Sequence, residues 1–189
     1  MGSSLVKLVQ LNTSAPEYTN VQTLFARTCH MRILKIERVQ NKHLWQNYQI
    51  RKNNIDAKNK STNNEKQLFH GTDPNTVTKV NHHGFNRSYA GKNAAAIGNG
   101  TYFAVNASYS ASSTYSKPDA QNQKFMYLAR VLTGVCCQGQ PGMITPPAKS
   151  TRDPTDLYDS VTDYLQQPSM YVIFNDIQAY PEYLITFTG

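Results

Sequence analysis

Leu68-Phe69-His70-Gly71-Thr72, followed 28 residues after Thr72 by Gly100-Thr101-Tyr102-Phe103-Ala104, is the pair of segments on which the fold reading turns. Both are short, apolar runs with a glycine beside or just before the polar ring, so both read as strands edged by turn chemistry. The glycines leave room for a ligand to approach the backbone next to a histidine and a tyrosine. Past Leu68 the whole chain keeps this texture of short strands separated by Gly, Pro, Asn and Ser. Phe125–Leu132 is apolar except at Arg130 and therefore reads as a central strand covered on both faces. Met170–Phe174 and Tyr183–Phe187 read as the closing strands, and Tyr102–Val105 as the strand that carries the tyrosine. Residues 138–155 hold Gly139, Pro141, Gly142, Pro146, Pro147 and Pro154, so they predict an irregular loop with one short strand at Met143–Thr145.

Upstream the pattern changes. Leu5–Leu11 and Ile33–Ile36 read as strands by their β-branched content. Ser14-Ala15-Pro16-Glu17 predicts a capping box, and Tyr18, Val21, Phe25 and Thr28 follow at helical spacing. A second helix is expected from Asn41 to about Asn54, with Leu44, Trp45, Tyr48 and Ile55 on one side. Residues 56–66 are polar and read as an exposed connection. Asp73-Pro74 predicts another helix start, with its end at Gly84. A long loop over 86–99 and a short Ser-rich helix around Ser108–Tyr115 complete the reading. The sum is α+β: a mixed or mostly antiparallel sheet with helices concentrated in the N-terminal third.

Composition narrows the class. A chain of 189 residues with 39% hydrophobic and 16% charged residues suits a globular protein, taken as a single domain over 5–189. Met1-Gly2-Ser3-Ser4 lacks the apolar core of a signal peptide and reads as a cloning scar. No run reaches the ~18 apolar residues that suggest a membrane span, so no membrane partner is expected. Three cysteines, Cys29 and the pair Cys136-Cys137, form neither a disulfide framework nor a C-x-x-C zinc pattern. Reduced thiols in a cytoplasmic or nuclear protein are the expectation. The surplus of positive charge is confined to residues 1–66, with 11 Lys and Arg against 4 Asp and Glu; residues 67–189 have 8 against 8. A basic N-terminal third could meet nucleic acid, but no nucleic-acid-binding signature accompanies it, and a solvated face is the simpler reading. His82 and His83 have no ligand partners at metal spacing, so no metal is expected. Gly98-Asn99-Gly100 precedes a strand instead of opening a helix after one, which excludes a Rossmann fingerprint.

The pairing of His70-Gly71 with Tyr102 resembles the first two members of the His-Tyr-Glu signature of the diphtheria-toxin-like ADP-ribosyltransferases. In particular the chain resembles the macrodomain-associated mono-ADP-ribosyltransferases of the poly(ADP-ribose) polymerase type. The phrases that carry this resemblance are His83-Gly84-Phe85-Asn86-Arg87-Ser88, Gly91-Lys92-Asn93, Asp156-Leu157-Tyr158-Asp159 and Gln178-Ala179-Tyr180-Pro181-Glu182-Tyr183-Leu184. The resemblance implies a split, mostly antiparallel β core and NAD+ as co-substrate. It also implies that His70 binds the adenosine ribose and that the Gly71 backbone and Ser110 hydroxyl bind the nicotinamide carboxamide. Tyr102 and Tyr115 would sandwich the ring, since aromatic faces attract a cationic plane. Thr72 and Arg87 would contact the adenosine side, and residues 86–98, with Tyr89, would form the loop over NAD.

The third member departs from the signature. Polymerising relatives have a glutamate just before the strand that here reads Tyr171-Val172-Ile173-Phe174; this chain has Met170. A thioether has no proton to exchange, and general-base help is typically worth ~10²–10⁴-fold. Chain growth onto a ribose hydroxyl would lack it, whereas an acceptor carboxylate is already ionised at neutral pH. The reading is therefore transfer of one ADP-ribose to acidic side chains of acceptor proteins, or of the protein itself. The protein would be a monomeric catalytic domain of a longer chain. A catalytically inactive NAD- or ADP-ribose-binding domain is the alternative. Glu182, the only glutamate after Glu65, is the competing candidate for the third position.

Overall fold

The sheet is assembled from nine strands in the order β1-β2-β9-β5-β3-β4-β8-β7-β6, and all neighbours are antiparallel except the β6/β7 pair. A computed structural model describes residues 6–61, 63–90 and 96–189, with the side chains of Tyr89 and Ala90 excluded. In chain order the strands are β1 Val6–Gln10, β2 Arg32–Asn41, β3 Glu65–Thr72, β4 Thr101–Ala104, β5 Lys124–Leu132, β6 Cys136–Gln138, β7 Ser160–Thr162, β8 Met170–Ile173 and β9 Ala179–Thr188. The helices are α1 Pro16–Ala26, α2 Lys42–Asn59, α3 Val77–His83, α4 Arg87–Ala90 and α5 Ala107–Ala111, with single 3₁₀ turns at Pro74–Thr76 and Asp176–Gln178. The two long helices lie in the first third, and the architecture is α+β.

Strand β5 is central, pairing β3 on one side and β9 on the other. Its apolar run from Phe125 to Ala129 follows from that place: Met126 and Leu128 pack with Tyr18, Val21 and Phe25 of α1, while Tyr127, Ala129 and Val131 pack with Val80 of α3 and with Phe85; Arg130 is admitted to the strand by pairing with Glu65 and Glu182. A strand buried on both faces has no polar register to alternate with. Helix α2 places Tyr48 and Ile55 against Leu132 and Tyr180.

Several local expectations need correction. The capping box at Ser14–Glu17 does not form. Pro16 opens α1, so Ala15 is the N-cap, and it has no capping side chain. Ser14 turns to the Asn12 carboxamide oxygen, and Glu17 is drawn away to Arg38 and the Tyr183 hydroxyl. Helix α2 runs to Asn59, through much of the segment read as connection. Ile55 is buried there, Lys52 pairs with Asp56, and Lys58 and Asn59 both reach Asp159. Tertiary anchors thus override the weak helix propensity of its asparagines. Residues 65 and 66 are already strand. The strand at Met143–Thr145 is not formed; β6 and β7 stand nearby instead, each too short to announce itself by alternation. The loop over 86–99 contains α4, and its residues 91–95, with the phrase Gly91-Lys92-Asn93, lie outside the described residues. The Ser-rich helix ends at Ala111.

One seam in the sheet positions everything that follows. Strands β3 and β4 share a single register pair, Phe69 with Ala104, and then part. Below that point β3 continues on β5 and β4 continues on β8, so the core is split, and a cleft opens at His70.

Candidate active site

The cleft has a volume of about 720 Å³, and its lining includes His70, Gly71, Tyr102, Ser110, Tyr115 and Met170. The structure therefore brings together, around one cavity, side chains that stand up to a hundred residues apart in sequence.

His70 sits where the β3/β4 ladder fails. Its Nδ1 lies 2.7 Å from the Tyr102 carbonyl oxygen, across the seam. A carbonyl only accepts, so Nδ1 carries the proton and donates, and in the neutral ring Nε2 is left as an acceptor. Burial holds the imidazole pKa below its ordinary value, against the smaller upward pull of the Tyr102 carbonyl. The ring is wedged between Phe85, met edge-on, and Phe103, met at a tilt, at centroid distances of 5.0 and 5.3 Å. Tautomer and orientation are thus both set before any ligand arrives.

Gly71 answers a steric demand as well as leaving its backbone open. A Cβ there would lie 2.4 Å from the Ser110 carbonyl oxygen, 2.7 Å from Ser116 Oγ and 2.9 Å from Tyr115 Cβ. Helix α5 can approach β3 only because the position is bare. The buried Ser116 hydroxyl lies 2.7 Å from the Ser110 carbonyl and 2.8 Å from that of Phe125, and Lys124 Nζ donates to the Ala111 carbonyl at 2.6 Å. These contacts lash α5 and the following turn to the sheet.

The aromatic walls come from two directions. Tyr102 leans from β4, its hydroxyl donating to the Gly98 carbonyl at 2.7 Å and accepting from the Ile97 amide at 3.2 Å. Desolvation raises its pKa, so it stays a neutral phenol. Tyr115 lies on the turn after α5 and is backed by Tyr109: the rings stack at 4.9 Å with a 24° tilt, and the hydroxyls are 2.8 Å apart. Tyr109 also lines the cleft, and sequence reasoning missed it. A helix continued to Tyr115 would set the two rings about 120° apart around its axis. Only the chain reversal at Ser112, where ψ is 141°, lets them stack.

Buried Ser110 lines the cleft, as does buried Thr72 farther along β3, where Asp73, Asn75, Thr76 and Lys79 continue the wall. Arg87 goes elsewhere. Its Nη1 donates to the Phe174 carbonyl at 3.2 Å and its amide faces Asp176, while its neighbours Asn86 and Ser88 take places on the cavity. The side chain of Tyr89 lies outside the described residues.

Met170 opens β8 opposite Ala104 and presents its half-buried side chain to the cleft. Glu182 does not reach it. It lies on β9, with β5, β3 and β4 between it and β8, and pairs with Arg130 at 2.7 Å and with Gln67 at 3.5 Å. The position at the cleft is therefore a thioether, and the competing register at Glu182 is set aside. Among the described residues no group of three His, Cys, Asp or Glu side chains is placed to hold a metal ion.

The chain matches the model of the poly(ADP-ribose) polymerase catalytic domain over residues 15–188. It is 60% identical over 181 residues, 95% of its own length, to protein mono-ADP-ribosyltransferase PARP14 of Homo sapiens. Identity is 38% over 187 residues, 96% of the chain, to protein mono-ADP-ribosyltransferase PARP10 of Mus musculus, and 40% over 182 residues, 95% of the chain, to protein mono-ADP-ribosyltransferase PARP12 of Homo sapiens. The chain spans 10%, 19% and 25% of the length of these three proteins.

Proposed function

We propose that this chain, which belongs to the poly(ADP-ribose) polymerase catalytic-domain family, takes NAD+ as co-substrate and transfers a single ADP-ribose to an acidic side chain, releasing nicotinamide. The observation that carries the reading is the seam at His70 and Tyr102, a preset cleft with a thioether where a base would stand. The nicotinamide ring lies between Tyr102 and Tyr115, where a cationic plane is attracted to the electron-rich faces. Its carboxamide meets the Gly71 backbone and the Ser110 hydroxyl. The adenosine ribose donates a hydroxyl to His70 Nε2, and the adenine lies toward Thr72 and Asn75.

In the reaction the bond from ribose C1′ to the pyridinium nitrogen breaks, its electron pair leaves with nicotinamide, and an acceptor carboxylate oxygen bonds to C1′. No proton need be removed from that oxygen, so Met170 costs the first transfer little. Extension onto a ribose hydroxyl does require proton removal, and it loses the ~10²–10⁴-fold of a general base. The acceptors are proteins met in the cytoplasm or nucleus, and the chain itself by automodification.

Incubation with labelled NAD+ followed by gel electrophoresis tests this. A discrete labelled band that disappears in Tyr102→Ala is the expected result. A ladder of long products refutes single transfer. Saturable NAD+ binding without label supports instead a binding module that has lost turnover together with its carboxylate.

A further inference from the structure

Met170 can supply only shape to the reaction, so what holds it in place matters more than it would for an ionisable side chain. The turn from β7 to β8 runs through 163–169 and delivers Met170 to the cleft, and one carboxylate organises it. Asp163 Oδ1 accepts from the Ser169 amide at 2.9 Å and from the Met170 amide at 3.2 Å, and its Oδ2 accepts from the Ser169 hydroxyl. The turn is tied from both sides, because Thr162 Oγ1 donates to the Met170 carbonyl at 2.8 Å and the Val105 amide donates to the Ser169 carbonyl at 2.9 Å. Asp163 therefore fixes the two residues that join the end of β4 to the third position of the cleft.

We propose that Asp163 is a positioning residue for transfer: through Ser169 and Met170 it sets the wall along which the acceptor carboxylate reaches ribose C1′. This rests on the transferase reading above. Its hydrogen bonds go to Ser169 and Met170, the Thr162 hydroxyl lies 3.2 Å from its Oδ1, and the residue is only half-buried. Partial burial pulls its pKa up, but the bonds from Ser169 and from the Met170 amide outweigh that and hold the carboxyl below its ordinary range. It stays ionised, and the clamp stays closed, throughout the neutral range. Among the described residues no hydrogen bond joins it to His70, Tyr102 or Tyr115, and only its charge reaches Tyr109, so ligand binding and acceptor approach are separable.

The test compares Asp163→Ala and Asp163→Asn with the unaltered chain, measuring NAD+ affinity by calorimetry and transfer by labelling. Asp163→Ala is expected to keep NAD+ affinity within about twofold while labelling falls ~10²-fold, the usual consequence of a displacement near 1 Å. Asp163→Asn retains Oδ1 for both amides and is expected to recover most of the labelling. Parallel loss of affinity and labelling, or full labelling by Asp163→Ala, overturns the proposal. Should Asp163→Ala not fold, the same split must be seen at smaller size in Ser169→Ala, and equal losses of affinity and labelling there overturn it. If the unaltered chain binds NAD+ but transfers nothing, the transferase reading fails first, and the proposal falls with it.

Discussion

Replacing Gly71 with alanine adds one methyl group at the tightest point of the cleft. That carbon would stand 2.4 Å from the Ser110 carbonyl oxygen, where ordinary contact begins near 3.4 Å, so the two must separate by about 1 Å. The carbonyl is backbone and cannot rotate aside. It is held by Ser116, and α5 behind it is held by Lys124. The relief must come from moving α5 and Tyr115 away from β3, which widens the gap between Tyr115 and Tyr102. Overpacking of this kind costs ~1–3 kcal/mol, offset in part by the ~0.4–1 kcal/mol that alanine removes from unfolded-chain entropy. At ~2–4 °C per kcal/mol for a chain of this size, the net cost lowers Tm by up to roughly 10 °C. Labelling falls further, by ~10²-fold, because the ring platform is displaced. Thermal unfolding and labelled-NAD+ transfer on the same preparation report both numbers. An unchanged Tm with labelling within about twofold of the original would refute the claim that α5 sits against a bare β3.

Tyr109→Ala removes the ring behind Tyr115 and should raise the KM for NAD+ roughly 2–10-fold, the worth of one aromatic pair, whereas Tyr109→Phe keeps most of the stacking; steady-state kinetics on both variants check this. Glu182→Gln leaves Arg130 with Glu65 alone at 3.3 Å and should lower stability by about 1–3 kcal/mol in urea unfolding, yet leave labelling unaltered; lost labelling would return Glu182 to the site. His70 has a folded pKa depressed by burial, so between that value and its unfolded value near ~6.5 the unfolded chain binds more protons. Stability should therefore rise with pH through that window and level off above it, and His70→Gln should flatten the part of the slope that this residue supplies.

Much of the site was legible because its members lie on short-range signals. His70 and Tyr102 each stand beside a glycine on an apolar strand, and Ser110 and Tyr115 follow at fixed distance in one Ser-rich stretch. The direction of Arg87 is not legible, because a loop cation offers no periodicity to say which way it turns; the Phe174 carbonyl decides that. Tyr109 went unnoticed because its partnership with Tyr115 depends on a helix stopping at Ala111, and the sequence there contains no glycine or proline to announce the stop. The α2 helix was cut short for the converse reason, since its last turns are held by Asp159, a residue a hundred positions away.

Apolar runs determined, from the sequence alone, that β5 lies at the centre of an α+β sheet, because a strand covered on both faces must be predominantly apolar. The sequence also determined that position 170 carries sulfur and not a carboxylate, a matter of residue identity that no folding can change. Only the tertiary structure decided that β3 and β4 part after one register pair, that an imidazole bridges the gap, and that Glu182 faces Arg130 far from the cleft. Those outcomes depend on which strands become neighbours, and strand order is set by the packing of the whole chain, beyond the reach of any local pattern.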